Sequence, residues 1–174
     1  MTATPDGIVL RRHLYLEQRA WQLYFRRAVI ALLAVVTLAA LLGAFGQEPA
    51  TTSARSARAT LTVASPDRVR GGLMFTTAFT IEARQPIDHP VLVLDGGWFD
   101  GMQVNSIVPQ PKDETSVGGR TVLTLERVPA GGRQVYYIGF QVNPTTLGRK
   151  TQDVRLRDGS RTLLAIKRTF TVLP

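Results

Sequence analysis

The stretch Leu73-Met74-Phe75-Thr76-Thr77-Ala78-Phe79-Thr80-Ile81-Glu82-Ala83 decides the fold. Leu73, Phe75, Thr77, Phe79 and Ile81 occupy every second position, and Met74, Thr76, Ala78, Thr80 and Glu82 lie between them. A period of two with β-branched and aromatic residues is the signature of a strand with one buried face. The odd-numbered set is expected to face the core.

Working outward, the same texture recurs at Leu61–Val63, Val91–Leu94, Met102–Val108, Thr121–Val128, Gln134–Val142, Thr151–Leu156 and Leu163–Leu173. Turn residues separate these runs. Gly71-Gly72, Gly96-Gly97, Gly118-Gly119 and Gly131-Gly132 are glycine pairs of the kind that reach positive φ in hairpin turns, and Asp158-Gly159 is a further hairpin signal. Seven or eight short strands in residues 60–174, with no helical period among them, predict an all-β antiparallel sandwich of two sheets. Leu73, Phe75, Phe79, Ile81, Val91, Val93, Val122, Leu123, Leu125, Tyr137, Phe140 and Val142 are the expected core.

Val128-Pro129-Ala130-Gly131-Gly132-Arg133-Gln134-Val135-Tyr136-Tyr137-Ile138-Gly139-Phe140 resembles the turn and strand of bacterial extracytoplasmic Ig-like domains of the CARDB and DUF11 kind. Leu73–Ala83 is similar to their preceding strand, and Val172-Leu173-Pro174 to their last one. The resemblance covers residues 60–174 and implies a spacer, adhesive or accessory module with no catalytic residues. Asp95–Met102 departs from it, because Trp98 and Phe99 interrupt a connection that is usually smaller.

On the other side of the β region the chain changes character. Residues 28–46, AVIALLAVVTLAALLGAFG, carry no charge over 19 positions. As a helix they would rise roughly 28 Å, the thickness of a bilayer's hydrocarbon core. A membrane span is expected here, retained as an anchor: a 27-residue leader, a long apolar run and the lack of a clean A-x-A site fit a cleaved signal peptide poorly. Residues 1–27 hold Arg11, Arg12, Arg19, Arg26 and Arg27 against Asp6 and Glu17. Arg26 and Arg27 abut the apolar run, so the positive-inside rule puts the N-terminus in the cytoplasm and the β domain outside the plasma membrane. Arg11, Arg12, Arg26 and Arg27 are the topology determinants.

The leader, 1–27, reads as a basic amphipathic helix that either only fixes topology or also touches anionic lipid headgroups or a partner. Trp21 stands where an interfacial aromatic belt belongs. Ala39 and Gly43 form a small-xxx-small pair that would admit a neighbouring helix. Residues 47–59, QEPATTSARSARA, lack large apolar side chains and are expected to be a flexible tether.

Composition narrows the chemistry. The 174 residues include no Cys and two His, and carry a net charge of +8. Cysteine ligands, thiolate nucleophiles and disulfides are excluded. His89, between Asp88 and Pro90, reads as a turn residue rather than a general base. Asp95, Asp100, Asp113 and Glu114 are the carboxylates available for acid–base work or for Ca²⁺, at spacings that specify neither. No nucleotide-binding motif occurs, and no cofactor is expected. Residues 47–174 carry 16 Lys+Arg against 11 Asp+Glu, an excess too small and dispersed to point to nucleic acid.

Trp98, Phe99 and Met102, in a glycine-rich loop, are the candidate partner contacts. The other reading of the same three is a cap folded over the open end of the sandwich. Two functions follow: a non-catalytic accessory subunit of a membrane or envelope protein complex, or an extracytoplasmic binding module for a glycan, peptide or metal ion.

Overall fold

The computed structural model describes residues 20–42 and 49–174. Arg11, Arg12 and Gly43 lie outside them. The chain divides into two units, Met1–Gly46 and Gln47–Pro174.

In the first unit a single helix, α1 (Ala20–Leu41), runs without a break through Arg26 and Arg27 into the apolar segment. It has no Gly or Pro to stop it, and Leu and Ala dominate its second half. Its 22 residues make about 33 Å of helix. Trp21–Leu41 is long and apolar enough to cross a membrane, and Leu32, Leu33, Val35, Leu38 and Leu41 are all exposed.

The second unit is built from thirteen strands among the described residues: β1 (Pro49–Arg55), β2 (Ala59–Pro66), β3 (Arg68–Arg70), β4 (Met74–Ala83), β5 (Pro90–Leu94), β6 (Met102–Val108), β7 (Asp113–Val117), β8 (Arg120–Thr124), β9 (Arg133–Val142), β10 (Gly148–Thr151), β11 (Val154–Asp158), β12 (Arg161–Ile166) and β13 (Thr169–Leu173). One sheet has the order β1-β2-β4-β9-β6, a second β12-β11-β5-β8-β7, and a short third β10-β13-β3. All pairings are antiparallel except β13 with β3. This is a β-sandwich preceded by one apolar helix.

Alternation sets the core. In β4 the side chains of Phe75, Thr77, Phe79, Ile81 and Ala83 are buried, and those between them are not. In β9 the inward set is Tyr136, Ile138, Phe140 and Val142. Phe75 stacks on Phe140 at 5.3 Å between ring centroids and meets Phe170 of β13 at 5.2 Å, so the aromatic centre bridges the layers. Each such side chain contributes about 1.5–3 kcal/mol when fully buried. The one polar pair in this layer, Thr77 and Ser65, is satisfied by a hydrogen bond of 2.8 Å between the two hydroxyls.

The structure corrects the sequence reading in several places. Residues 49–55 and 59 are strand where a flexible tether was expected: β1 pairs with β2 along its whole length, from Pro49 opposite Pro66 to Arg55 opposite Thr60. Its inward positions are Ala50, Thr52 and Ala54, small side chains that suffice at an edge and leave no apolar period to read. Leu73 precedes β4 and is exposed, and Tyr137 points outward while Tyr136 takes the core position. Val91 and Val122 are half-buried on the outer face of the second sheet. The expected strands at 151–156 and 163–173 are each two strands in different sheets, β10 with β11 and β12 with β13.

Candidate functional site

Trp98 sits in a short 3₁₀ turn, Gly96–Trp98, between β5 and β6. The turn approaches β10 so closely that a Cβ on Gly97 would lie 1.8 Å from the carbonyl oxygen of Thr151. That contact, rather than a hairpin, is why glycine stands there. The indole is fully buried, 5.3 Å from the Phe79 ring and 5.6 Å from Phe140 by centroid, and its Nε1–H donates to the carbonyl of Asp153 at 3.2 Å. Trp98 therefore closes the sandwich and offers no surface to a partner. Phe99 and Met102 are half-buried against the same core, Phe99 edge-on to Phe140 at 6.2 Å. Trp21, Arg26 and Arg27 are exposed on α1 and Ala39 is partly exposed.

The guanidinium of Arg168 lies 5.7 Å above the Trp98 ring, a buried cation on an aromatic face. Its Nη2 donates to the carbonyls of Ser65 at 3.0 Å and Pro66 at 3.5 Å and to Asp67 Oδ1 at 2.8 Å, tying the crossover from β2 to β3. Beside it opens a polar groove of about 490 Å³ lined by Thr52, Arg68, Arg149, Thr169 and Thr171.

The carboxylates do not converge. Asp100 pairs with Lys150, and Asp113 and Glu114 are exposed on β7. His89 is exposed in its turn, its backbone N–H donating to Asp158 Oδ1 at 3.0 Å. Burial pushes Asp95 above the ordinary carboxylate range, Asp153 adds to that by like charge, and the Thr151 hydroxyl opposes it with a hydrogen bond of 3.1 Å. Among the described residues no three His, Asp or Glu side chains come together as a metal site.

The outer face of the first sheet is uncharged across its middle. Registers align Thr51, Ala64, Ala78, Tyr137 and Val108 in one row across all five strands. A second row is Ser53, Thr62, Thr80 and Val135. Both rows lack charge, and Tyr137 and Val108 stand exposed in them. Charge returns only in the next row, Arg55, Thr60, Glu82 and Arg133, where Arg133 and Glu82 approach to 3.7 Å. Sequence reasoning placed Tyr137 in the core and so missed this face; the signal was the phase of the β9 alternation, which Tyr136 and Tyr137 blur.

No protein-family model matches the chain, and no curated protein matches it. Among solved structures it is similar to CaCohA2 from Clostridium acetobutylicum, at 18% identity over 60% of this chain and 84% of that one, with a TM-score of 0.43. A non-cellulosomal cohesin from Archaeoglobus fulgidus is similar at 14% identity over 62% and 86%, TM-score 0.42. The CARDB domain of the PF1109 protein from Pyrococcus furiosus, in complex with di-metal ions, is similar at 10% identity over 73% and 90%, TM-score 0.38. The neighbours thus include the CARDB kind that the sequence resembles, while the sandwich itself is established by the strand pairing above.

Proposed function

We propose that this protein is a non-catalytic, single-pass membrane protein whose sandwich and helix act as an accessory or interaction subunit of a membrane or cell-envelope complex. The observation that carries the reading is the exposure of α1: among the described residues, nothing covers the apolar side chains of Trp21–Leu41. Water is an unfavourable solvent for such a surface, and a bilayer is a favourable one. Arg26 and Arg27 at one end of the apolar run favour a cytoplasmic N-terminus and an extracytoplasmic sandwich in a bacterial plasma membrane. The uncharged rows through Tyr137 supply a flat surface for a protein partner. A cohesin-like or CARDB-like resemblance is compatible with that role.

The test is extraction of the full-length chain from its native membrane in mild detergent, with residues 47–174 purified in parallel. A partner that co-purifies in stoichiometric amount with the full chain, and is lost when α1 is removed or Tyr137 is changed to Asp, supports the reading. Full-length chain recovered alone, with residues 47–174 binding a glycan, peptide or metal ion by themselves, would replace it with the binding-module reading.

A further inference from the structure

The two ends of the sandwich differ in kind. β1 enters at Pro49, opposite Pro66, and the same end gathers β3, the turn to β4, the exit of β9 and the end of β13. Gly71 N–H donates to the carbonyl of Leu173, Gly72 N–H to that of Val142, and Leu73 accepts from Val142 N–H, so these segments are held together. Seven large apolar side chains of the second unit are exposed, and four of them are here: Leu73, Met74, Leu147 and Leu173. Met74 is 67% exposed and Leu147 57%. Arg68, Arg70 and Arg149 are also exposed at this end and form no ion pair among the described residues. The nearby acids Asp67 and Asp100 are already taken up by Arg168 and Lys150.

The opposite end is built otherwise. There Arg58 meets Asp158 at 3.3 Å, Arg127 meets Asp88 at 2.8 Å and Arg133 meets Glu82 at 3.7 Å. That end carries three ion pairs and none of the four apolar side chains, although Arg55, Arg84 and Arg161 are also exposed there and form no ion pair among the described residues.

Between Leu41 of α1 and Pro49 of β1 lie seven residues, 42–48. Fully extended they reach at most ~24 Å. A ten-residue strand such as β4 is itself about 34 Å long. Seven residues joined to this end of the sandwich limit how far Pro49 can lie from the end of α1.

We propose that this end of the sandwich rests on an anionic membrane surface, with Leu73, Met74, Leu147 and Leu173 at the boundary of headgroups and acyl chains and Arg68, Arg70 and Arg149 on lipid phosphates. The inference rests on the reading of α1 as a membrane anchor. Exposed apolar side chains beside the arginines of β3 and β10 match the interfacial region, where apolar burial and attraction to anionic lipid act together. Three arginines near an anionic leaflet weight the docked state by on the order of a hundredfold over the undocked one, and salt screens that preference.

The chain has no Cys, so a single introduced thiol can be labelled without background. Thr145→Cys places an environment-sensitive fluorophore in the exposed turn after β9, at the docking end, and Ala130→Cys places it in the exposed turn before β9, at the far end. The labelled full chains are reconstituted in nanodiscs of phosphatidylcholine with or without phosphatidylglycerol, each with a lipid carrying a bromine quencher, and flotation with vesicles is checked first. A chain that does not float overturns the anchor reading and this inference with it. In a chain that floats, the expected result is strong quenching at position 145, weak quenching at position 130, and loss of the difference in pure phosphatidylcholine or when Arg68, Arg70 and Arg149 are all changed to Glu. Equal quenching at both positions in the anionic nanodiscs, or a difference unaffected by lipid charge, overturns the docking while leaving the anchor intact.

Discussion

Trp98→Ala is the sharpest test of the sandwich as described. The side chain is the largest of those fully buried, and it touches Phe79 and Phe140 in the first sheet and lies under Arg168 at the start of β13. Truncating a buried Trp to Ala costs about 3–5 kcal/mol for lost transfer and the cavity left behind. The carbonyl of Asp153 loses its indole donor, adding about 1 kcal/mol. The sum, roughly 4–6 kcal/mol, is a large share of the ~5–15 kcal/mol that holds a domain folded. For residues 47–174 it corresponds to a fall in Tm of ~12–25 °C. Urea titration of residues 47–174, followed by far-UV circular dichroism, measures the cost directly, since the core lies wholly within that unit. The unmodified domain provides a second readout: Trp98 is its only tryptophan, so native emission should be blue-shifted and should move to the red on unfolding. A cost below ~1 kcal/mol, or native emission typical of a water-exposed indole, would refute the placement of Trp98 and with it the closure of the sandwich.

Three further outcomes are expected. Gly97→Ala forces a methyl against the Thr151 carbonyl and should cost more than ~2 kcal/mol, whereas Gly131→Ala, at φ 73° with open space around it, should cost only about 1 kcal/mol; paired thermal melts compare them. Arg168→Met leaves the Ser65 carbonyl without its buried donor and should cost ~2–4 kcal/mol in urea titration, while Arg149→Ala, exposed, should stay within about 0.5 kcal/mol. Because burial raises Asp95 above 3.8, the folded state holds its proton more tightly than the unfolded chain does. Its contribution to stability is present below that value and is lost as pH rises through the raised one. Asp95→Asn should therefore gain stability relative to the parent as pH rises above 3.8, with no such trend if the carboxyl is freely solvated.

Much of the fold was legible because its long strands alternate. Phe75, Phe79 and Ile81 declare the buried face of β4, and the glycine pair 118–119, both at positive φ, makes the two-residue hairpin between β7 and β8 that the pair announces. The rest was hidden where packing, not pattern, decides. β1 is an edge strand whose inward side chains are Ala, Thr and Ala, and it forms because β2 offers it a ladder of backbone partners. β7, Asp113–Val117, is exposed at every position and pairs with β8 through its backbone alone. Trp98 carried the right physical alternatives in the sequence, contact or cap, but only the reach of Asp153 and the Phe79–Phe140 pocket decides between them. The uncharged face through Tyr137 and the basic, apolar end were unreadable for a related reason: each is assembled from segments far apart in the chain by register.

The pairing of β1 gives the attachment a mechanical character. A pull across the sheet at Pro49 would load that end of the ladder with β2 first and open its bonds one after another, as a zip does, whereas a pull along β1 would share the force among them. Peeling β1 and its turn away would lengthen the connection from residues 42–48 to residues 42–58, about 58 Å of chain if fully extended, while the aromatic centre around Phe75, Phe140 and Phe170 stayed closed. Under a pull across the sheet, the first strand would thus be a reserve of length, released before the body of the domain gives way.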